Sequence, residues 1–559
     1  MIPSNSLAAV FGIASDCANR HVLGPKTAID ITVVDETNTR VEITALLAKL
    51  QRHGNFGLVA LVGVQSNEYP RALDIARPFR EAKIPVAIGG FHISGCLSML
   101  DGHAVDLDAC RAMGISMFAG EAEERRFDLV LQDAAAGRIA QLYNFMKELP
   151  GIDGTPVPFL PKRYVQRTLG LSTSFDAGRG CPYQCSFCTI INVQGRKSRF
   201  RTADDIEHLV RINWEQGISK FFITDDNFAR NREWEAIFDR LIELRENDKI
   251  PLGLMIQVDT LCHKINGFME KAKRAGVTRV FIGLENVNPD NLTSAKKRQN
   301  KITEYRKMLL AWKAKGILTL AGYILGFPAD TPETIRRDIA IIQQELPLDI
   351  IEFFCLTPLP GSEDHQRLWN DGVAMETDLN TYDLEHVCTA HAKMTKQEWE
   401  DIYREAWSLY YTPQHMKTLL RRAAATNIPM GSLVKLLVRF ATTVRIERVH
   451  PLQSGILRLK HPSERRPGLP RENAWVFWPY LVWETMIKHA KLVGEIARLS
   501  LTAMVISRDP DRMAYMDKAL TAVLDSDEEL DLFTKTTGGR AAVAHIKKVA
   551  AITGARRVL

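Results

Sequence analysis

Residues 177–191 read AGRGCPYQCSFCTII. Cys181, Cys185 and Cys188 stand there in Cys-x3-Cys-x2-Cys spacing. A closed structural zinc site takes four ligands, and a disulfide takes two thiols. Three neighbouring thiolates suit a four-iron cluster, which four cysteines normally hold, with its fourth iron left open. An open iron can bind the amino and carboxylate groups of a small molecule. The competing reading is a zinc site that borrows a distant fourth ligand, with Cys262, Cys355 and His263 as candidates. Cys17, Cys96, Cys110, Cys262, Cys355 and Cys388 are expected to be small buried apolar residues.

The sequence around this loop decides what carries it. "LGLSTSF" (169–175) precedes it as a strand. "KFFITDD" (220–226), "LGLMIQV" (252–258), "TRVFIGLE" (278–285), "LTLAGYILGF" (318–327) and "DIIEFFCLT" (349–357) follow as further strands. Helical patterns such as "EWEAIFDRLIELRE" (233–246) and "INGFMEKAKRAG" (265–276) lie between them. Strands alternating with helices predict parallel pairing, and six such units predict a partial (β/α)6 TIM-type barrel over residues 165–384.

Residues 1–148 repeat the alternation on a smaller scale. "AIDITVVD" (28–35), "LVALVGVQS" (58–66), "PVAIGGFHIS" (85–94) and the start of "ISMFAGEAEERRFDLVLQDAAAG" (115–137) read as strands. "YPRALDIARPFREAKI" (69–84) reads as a helix bent near Pro78. This predicts a doubly wound, Rossmann-like α/β domain with ligands at the strand C-termini. The proline- and glycine-rich residues 149–164 read as a linker. Residues 385–559 read as helical, with Thr395 and Glu398 spaced for a capping box.

Composition is that of a globular α/β protein, 46% hydrophobic and 25% charged. No apolar run reaches the roughly 18 residues of a membrane span. The first residues lack the basic start of a signal peptide, and nine cysteines without framework spacing suit a reducing cytoplasm. Net charge is +6, yet residues 415–471 alone carry 12 Lys+Arg against 2 Asp+Glu. Within them "SLVKLLVRFATTVRIERV" (432–449) reads as a membrane-surface helix, a phosphate or RNA contact, or a basic face on a core helix. In "NAWVFWPYLVWETMIKHAKLV" (473–493), Trp475, Trp478, Tyr480 and Trp483 are expected in a packed helical core, with Pro479 marking the helix start; the alternative is an aromatic wall over a hydrophobic substrate.

With that barrel behind it, the cysteine loop resembles the radical S-adenosylmethionine (radical SAM) superfamily, which places an aromatic, here Phe187, before the last cysteine. The resemblance implies a 4Fe-4S cluster that cleaves S-adenosylmethionine reductively, giving a 5′-deoxyadenosyl radical that abstracts hydrogen from substrate. It also implies S-adenosylmethionine contacts from Phe187, from Asp225, Asp226 and Asn227 in "TDDNF", from Glu285 in "IGLEN", and from Gly322 and Gly326 in "GYILGFP". Gln257 and Asp259 would reach the same barrel mouth, and "TPLPGSE" (357–363) resembles the end of the family's sixth strand.

Ahead of the barrel, "AIGGFH" (87–92) and "FAGEAEERRF" (118–127) resemble the cobalamin-binding branch of that superfamily. The resemblance implies cobalamin contacts from Gly89, Gly90, His92, Gly120 and Glu121. His92 as a satisfied turn histidine is the plainer alternative. Two features depart from the branch. The expected strand before the first helix is missing. The string Asp101-Gly-His103-Ala-Val-Asp106 only superficially matches Asp-x-His-x-x-Gly.

The expected activity is cobalamin-dependent methylation of an unactivated carbon. The alternatives are a radical SAM cyclisation, rearrangement or oxidation without methyl transfer, and an RNA-modifying radical SAM enzyme. A second cluster on Cys17, Cys96 and Cys110 would mark the last. Expected partners are a small-molecule or lipid-like substrate and a reductant such as flavodoxin or ferredoxin. Peripheral membrane contact is allowed for; nucleic acid is not expected.

Overall fold

The computed structural model describes residues 2–522 and 540, apart from 101–106, 169, 455, 456, 459, 463, 464, 466–468 and 471. The Asp101–Asp106 string therefore lies outside the described residues. Contacts divide the chain into two units. The first is Met1–Val258, Glu270–Thr278 and Thr357–Ala390; the second is Asp259–Met269, Arg279–Leu356 and His391–Leu559.

The first unit opens with helix α1 (Asn5–Asn19) and α2 (Ile43–Arg52). A four-stranded parallel sheet follows in the order β1 (Val59–Leu61), β2 (Val86–Gly89), β3 (Ser116–Ala119) and β4 (Leu142–Asn144). Helices α3 (Tyr69–Glu81), α4 (Phe91–Met99), α5 (Asp108–Ala112) and α6 (Arg126–Ala135) connect the strands. Side chains alternate across a strand, so each face needs its own cover. Val86, Ile88, Met117 and Ala119 pack with α3, α4 and α5 in one core. Ala87 and Phe118 belong to a second core with α1 and α6. Helices thus cover both faces.

Residues 28–35 are not a strand. Their alternation is real, since Ile29 and Ile31 pack on the second core and Val33 is buried. They find no strand partner, so they remain extended chain. Pro78 sits inside α3 near its C-terminus. Residues 149–164 are packed chain rather than a free tether: Phe159 N–H donates to Ala8 O at 3.0 Å, and Ile152 and Leu160 are buried.

The six expected barrel strands all form. They are β5 (Ser172–Phe175), β8 (Lys220–Ile223), β9 (Gly253–Val258), β10 (Val277–Glu285), β11 (Leu318–Leu325) and β12 (Ile350–Cys355). They make one sheet in chain order, parallel at the pairs registered, with helices between them. A two-stranded antiparallel clip, β6 (Gly178–Arg179) with β7 (Arg199–Phe200), brackets the cysteine loop. Helices start where capping predicts, as at Thr395, whose side chain and that of Glu398 exchange hydrogen bonds with each other's backbone.

The helical region bears out one of the three readings of residues 432–449 and departs from expectation further on. The apolar side of residues 432–449 is core: Leu433, Leu437, Phe440 and Ala441 are buried. It is therefore unavailable to a membrane. Helix Ala474–Arg508 is capped by Asn473 rather than begun by Pro479, and its aromatics face outward, with Trp475 88% exposed. No helix among the described residues is long and apolar enough to cross a membrane.

Candidate functional site: a three-cysteine loop at a parallel-strand end

The cysteine loop begins where β5 ends, and its entry is built from charge. Arg179 is 10% exposed and bonds three carboxylates: Glu121 at 2.6 Å, Glu123 at 2.7 Å and Asp176 at 3.0 Å. Arg199 pairs with Glu121, and Arg201 lies 3.6 Å from Asp176. Three cations therefore meet three acids in a dry setting. Burial favours the neutral acids, but Arg179 outweighs it and holds Glu123 below its usual range. Arg179 and Arg201 together do the same to Asp176. Burial opposes the charge on Arg179, yet the three carboxylates raise its pKa.

Asp225 shapes the same entry from β8. Its Oδ1 accepts from Ala177 N at 2.7 Å and Gly178 N at 2.8 Å, and its Oδ2 from Asn231 Nδ2 at 2.9 Å. Gln257 Nε2 donates to Asp225 O at 3.2 Å. Gly178 must be glycine, since a Cβ there would stand 2.6 Å from Asn231. Gly180 turns the chain at φ 89°, where a Cβ would meet Lys197 O at 2.5 Å. Burial raises the Asp225 carboxyl to about 7; burial and then the Asp225 charge do the same to Asp226.

The three thiols share this loop and none is in a disulfide. Cys185 is buried, Cys181 and Cys188 are partly accessible, and Cys188 N–H closes a turn onto Cys185 O at 3.1 Å. Burial pushes the Cys188 thiol up to about 12, helped by the charges of Asp226, Cys185 and Cys181. The three sulfurs are thus electrostatic neighbours, and Asp226 stands beside them. Among the described residues no group of three or more His, Cys, Asp or Glu side chains could hold a metal ion. A four-iron cube separates its thiolates more widely than one ion does, so this donor set fits the cluster better than zinc. His263 is already bonded to Glu304 at 3.2 Å, and Cys262 and Cys355 are buried. The other six cysteines are all buried, as expected.

In the second unit, Glu285 ends β10 at φ 62°, beside a register shift. A non-glycine residue there is strained, which marks positions that surrounding structure must hold. Asn300 Nδ2 holds this one, donating to Gly283 O at 2.9 Å and Leu284 O at 2.8 Å. The Glu285 carboxylate pairs with Lys297. Gly326 leaves room for the Trp399 ring, which a Cβ would meet at 1.7 Å. Gly322 leaves space between Phe354 and Phe281. Asp259 Oδ1 accepts from Leu261 N at 2.7 Å, a turn role.

In the N-terminal sheet, Gly89 and Gly90 are explained by packing. A Cβ on Gly90 would lie 2.2 Å from Val64 N, and one on Gly89 3.2 Å from Phe118 O. Gly120 turns at φ 101° against Phe145. His92 is fully buried, bonds Ser66 Oγ through Nδ1 at 3.1 Å and stacks near Tyr69. Burial, and then the His365 charge, pull its pKa down to about 3, so the ring is neutral. Its Nε2 meets no partner among the described residues. That orphaned nitrogen is what fits a missing polar group at this edge.

Sequence reasoning missed Arg179, Arg199, Arg201, Glu123 and Asp176. The available signal was three arginines bracketing one cysteine loop.

Residues 177–342 match the family profile of the Radical SAM superfamily, beginning at this loop. The chain carries a radical SAM domain. It is an enzyme, and its cofactors include a 4Fe-4S cluster and S-adenosylmethionine. This radical SAM chain is 25% identical over 378 residues to the hopanoid C-2 methylase of Rhodopseudomonas palustris (strain TIE-1), covering 65% of this chain and 69% of that one. It is 22% identical over 358 residues to the bacteriochlorophyllide d C-8(2)-methyltransferase of Chlorobaculum tepidum, covering 61% and 74%. Among solved structures, the radical S-adenosylmethionine methyltransferase TsrM from Kitasatospora setae, with cobalamin and a 4Fe-4S cluster bound, has a similar fold. The TM-score is 0.55 at 15% identity, covering 76% of this chain and 92% of that one.

Proposed function

We propose that this radical SAM enzyme methylates an unactivated carbon of a hydrophobic small molecule, with cobalamin held at the N-terminal sheet. The carrying observation is the Gly120-Glu121-Ala122-Glu123 loop. Its two glutamates are salt-bridged to Arg179, two residues before the first cluster cysteine. The candidate cobalamin edge and the cluster loop are thereby one charge-locked assembly. The names of the two methylases above point the same way.

Cys181, Cys185 and Cys188 would hold three irons of the cluster, which supplies the electron for reductive cleavage of S-adenosylmethionine. Phe187, Asp226 and Asn227 would flank the methionine portion. Asp225 and Gln257 act at one remove, by fixing the loop backbone. Glu285, set by Lys297 and Asn300, would take a hydrogen bond from the nucleoside, with Gly322 leaving room. Gly326 contributes packing against Trp399. His92, Gly120 and Glu121 would line the cobalamin edge, with Gly89 and Gly90 shaping the turn. Cobalamin would supply the methyl group for transfer to the substrate radical. Residues 1–148 would form that cobalamin domain, 165–384 the barrel and 385–559 a helical cover. A cytoplasmic setting with a flavodoxin or ferredoxin reductant suits free cysteines and a reduced cluster.

Anaerobic reaction with substrate and reductant tests the reading. Methyl transfer yields S-adenosylhomocysteine alongside 5′-deoxyadenosine. Formation of 5′-deoxyadenosine alone would favour cyclisation, rearrangement or oxidation instead. The RNA-modifying reading loses its second cluster, since Cys17 lies in one core and Cys96 and Cys110 in the other.

A further inference from the structure

Strands β10, β11 and β12 present one face on which the structure leaves charge uncompensated. In register, Gly322 of β11 pairs with Glu352 of β12, and Phe281 of β10 with Leu320 of β11. Paired residues point to the same side, and so do residues two apart on one strand. Arg279, Phe281, Gly322, Glu352 and Phe354 therefore share a face. The helical region adds Arg439 and His450 to it.

Glu352 is 3% exposed, and its Oε2 has no hydrogen-bond partner among the described residues. Arg439 sits on a π-helical turn, Val438–Thr442, of the kind that interrupts helices at functional positions. Its Nε is also buried without a partner among the described residues, and its guanidinium lies 5.5 Å from the Phe440 ring centroid. Arg279 forms no hydrogen bond or ion pair among the described residues. Burial, and then the charge of Arg439, lower the pKa of Arg279. His450 stacks on Phe354, 4.9 Å between centroids, and lies 4.0 Å from Glu352. Two desolvated guanidiniums facing one acid are costly unless an anion completes them. Gly322 lets the two rings close on the strand: a Cβ there would stand 3.1 Å from Phe354 and 3.4 Å from Phe281.

We propose that Arg279 and Arg439 receive an oxyanion, the carboxylate or phosphate of the substrate, while Phe281 and Phe354 flank its apolar body. Guanidinium forks suit either oxyanion. The neutral Glu352 acid can donate a hydrogen bond to it, and the ionised one repels it. The identity of the ligand as substrate rests on the methyl-transfer reading; the binding does not.

The test is isothermal titration of the reconstituted full chain with sodium benzoate and with inorganic phosphate, each against chloride at equal ionic strength. Saturable binding of one probe but not of chloride is expected, and which probe binds tells carboxylate from phosphate. Arg439→Gln should weaken that binding at least about tenfold; should it misfold by circular dichroism, Arg279→Gln reads the same loss. Burial holds the Glu352 carboxyl near 7. Arg439, His450 and the Tyr411 hydroxyl face it, with Arg279 beyond Arg439. Wild-type affinity should therefore fall from pH 6 to pH 8, and Glu352→Gln should flatten that fall. No saturable binding beyond chloride, or equal affinity in the folded arginine variants, overturns the site. Binding as expected without S-adenosylhomocysteine formation would instead overturn the methyl-transfer reading and leave the site standing.

Discussion

Replacing Arg179 by Met removes one cation from a cluster of three cations and three acids. Glu121 keeps Arg199 and Asp176 keeps Arg201, but Glu123, 3% exposed, keeps no ion-pair partner. Breaking a buried pair from one side costs about 3–5 kcal/mol. At roughly 1.4 kcal/mol per decade, that is on the order of a thousandfold in the opening equilibrium of the loop. Hydrogen exchange of amides 176–201 reads it directly: protection should fall by that factor at pH 7, and iron loading should fall with it. The sign with pH is fixed. Arg179 depresses Glu123 and Asp176, so its contribution is present above their unfolded pKa values and is lost as pH falls through the folded ones. The deficit of Arg179→Met should thus hold from pH 7 to about 5 and shrink below about pH 4. Adding Glu123→Gln should recover part of it at pH 7. Protection within about threefold of wild type in the single variant would refute this reasoning, because the cluster would then contribute no more than surface pairs do.

Four further outcomes are expected. Cys181→Ala, Cys185→Ala or Cys188→Ala should each lose the bound iron and all 5′-deoxyadenosine formation, read by iron assay and chromatography. Glu285→Gln should weaken S-adenosylmethionine binding about tenfold in titrations, roughly the worth of one charge-assisted hydrogen bond, with iron content unchanged. Gly326→Ala would drive a Cβ to 1.7 Å from Trp399 at φ 104°, and should cost about 2–4 kcal/mol in urea denaturation. Burial, and then the charge of Asp330, raise Asp338 to about 7, so the folded state holds that proton at a pH where the unfolded chain has lost it. Wild-type stability should therefore decline as pH rises from about 4 to 7, and Asp338→Asn should make that decline in denaturation midpoints shallower by one carboxyl's share, Asp225, Asp226 and Glu352 keeping theirs.

The barrel was legible because β-branched and aromatic runs alternate with amphipathic helices at regular intervals. Every expected barrel strand formed, and the cysteine spacing placed the site at the end of the first. Residues 28–35 show where such reading stops. Period-two burial is a local property, but a strand also needs pairing to a neighbour, and residues 28–35 join neither edge of the four-stranded sheet. Strand β4 was not anticipated, because three residues with Leu142 and Asn144 exposed carry no apolar run. Pro479 suggested a helix start, yet Asn473 caps the helix six residues earlier and the proline lies inside its second turn. The arginine cluster was hidden for a different reason. Arg179, Arg199, Arg201 and Asp176 come from one stretch of chain, but Glu121 and Glu123 come from the turn after β3, 58 and 56 residues before Arg179. Only the fold brings them together. The glycines carried a mixed message: Gly90 and Gly326 are required, but by Val64 and Trp399 rather than by a ligand.

The most direct measurement is reductive cleavage of S-adenosylmethionine by the anaerobically reconstituted chain, with iron counted in the same sample. About four irons per chain and 5′-deoxyadenosine formation, both abolished in the triple cysteine-to-alanine variant, are expected. A reconstituted chain that leaves S-adenosylmethionine intact under strong reductant, or a triple variant that still cleaves it, would contradict the three-thiolate site.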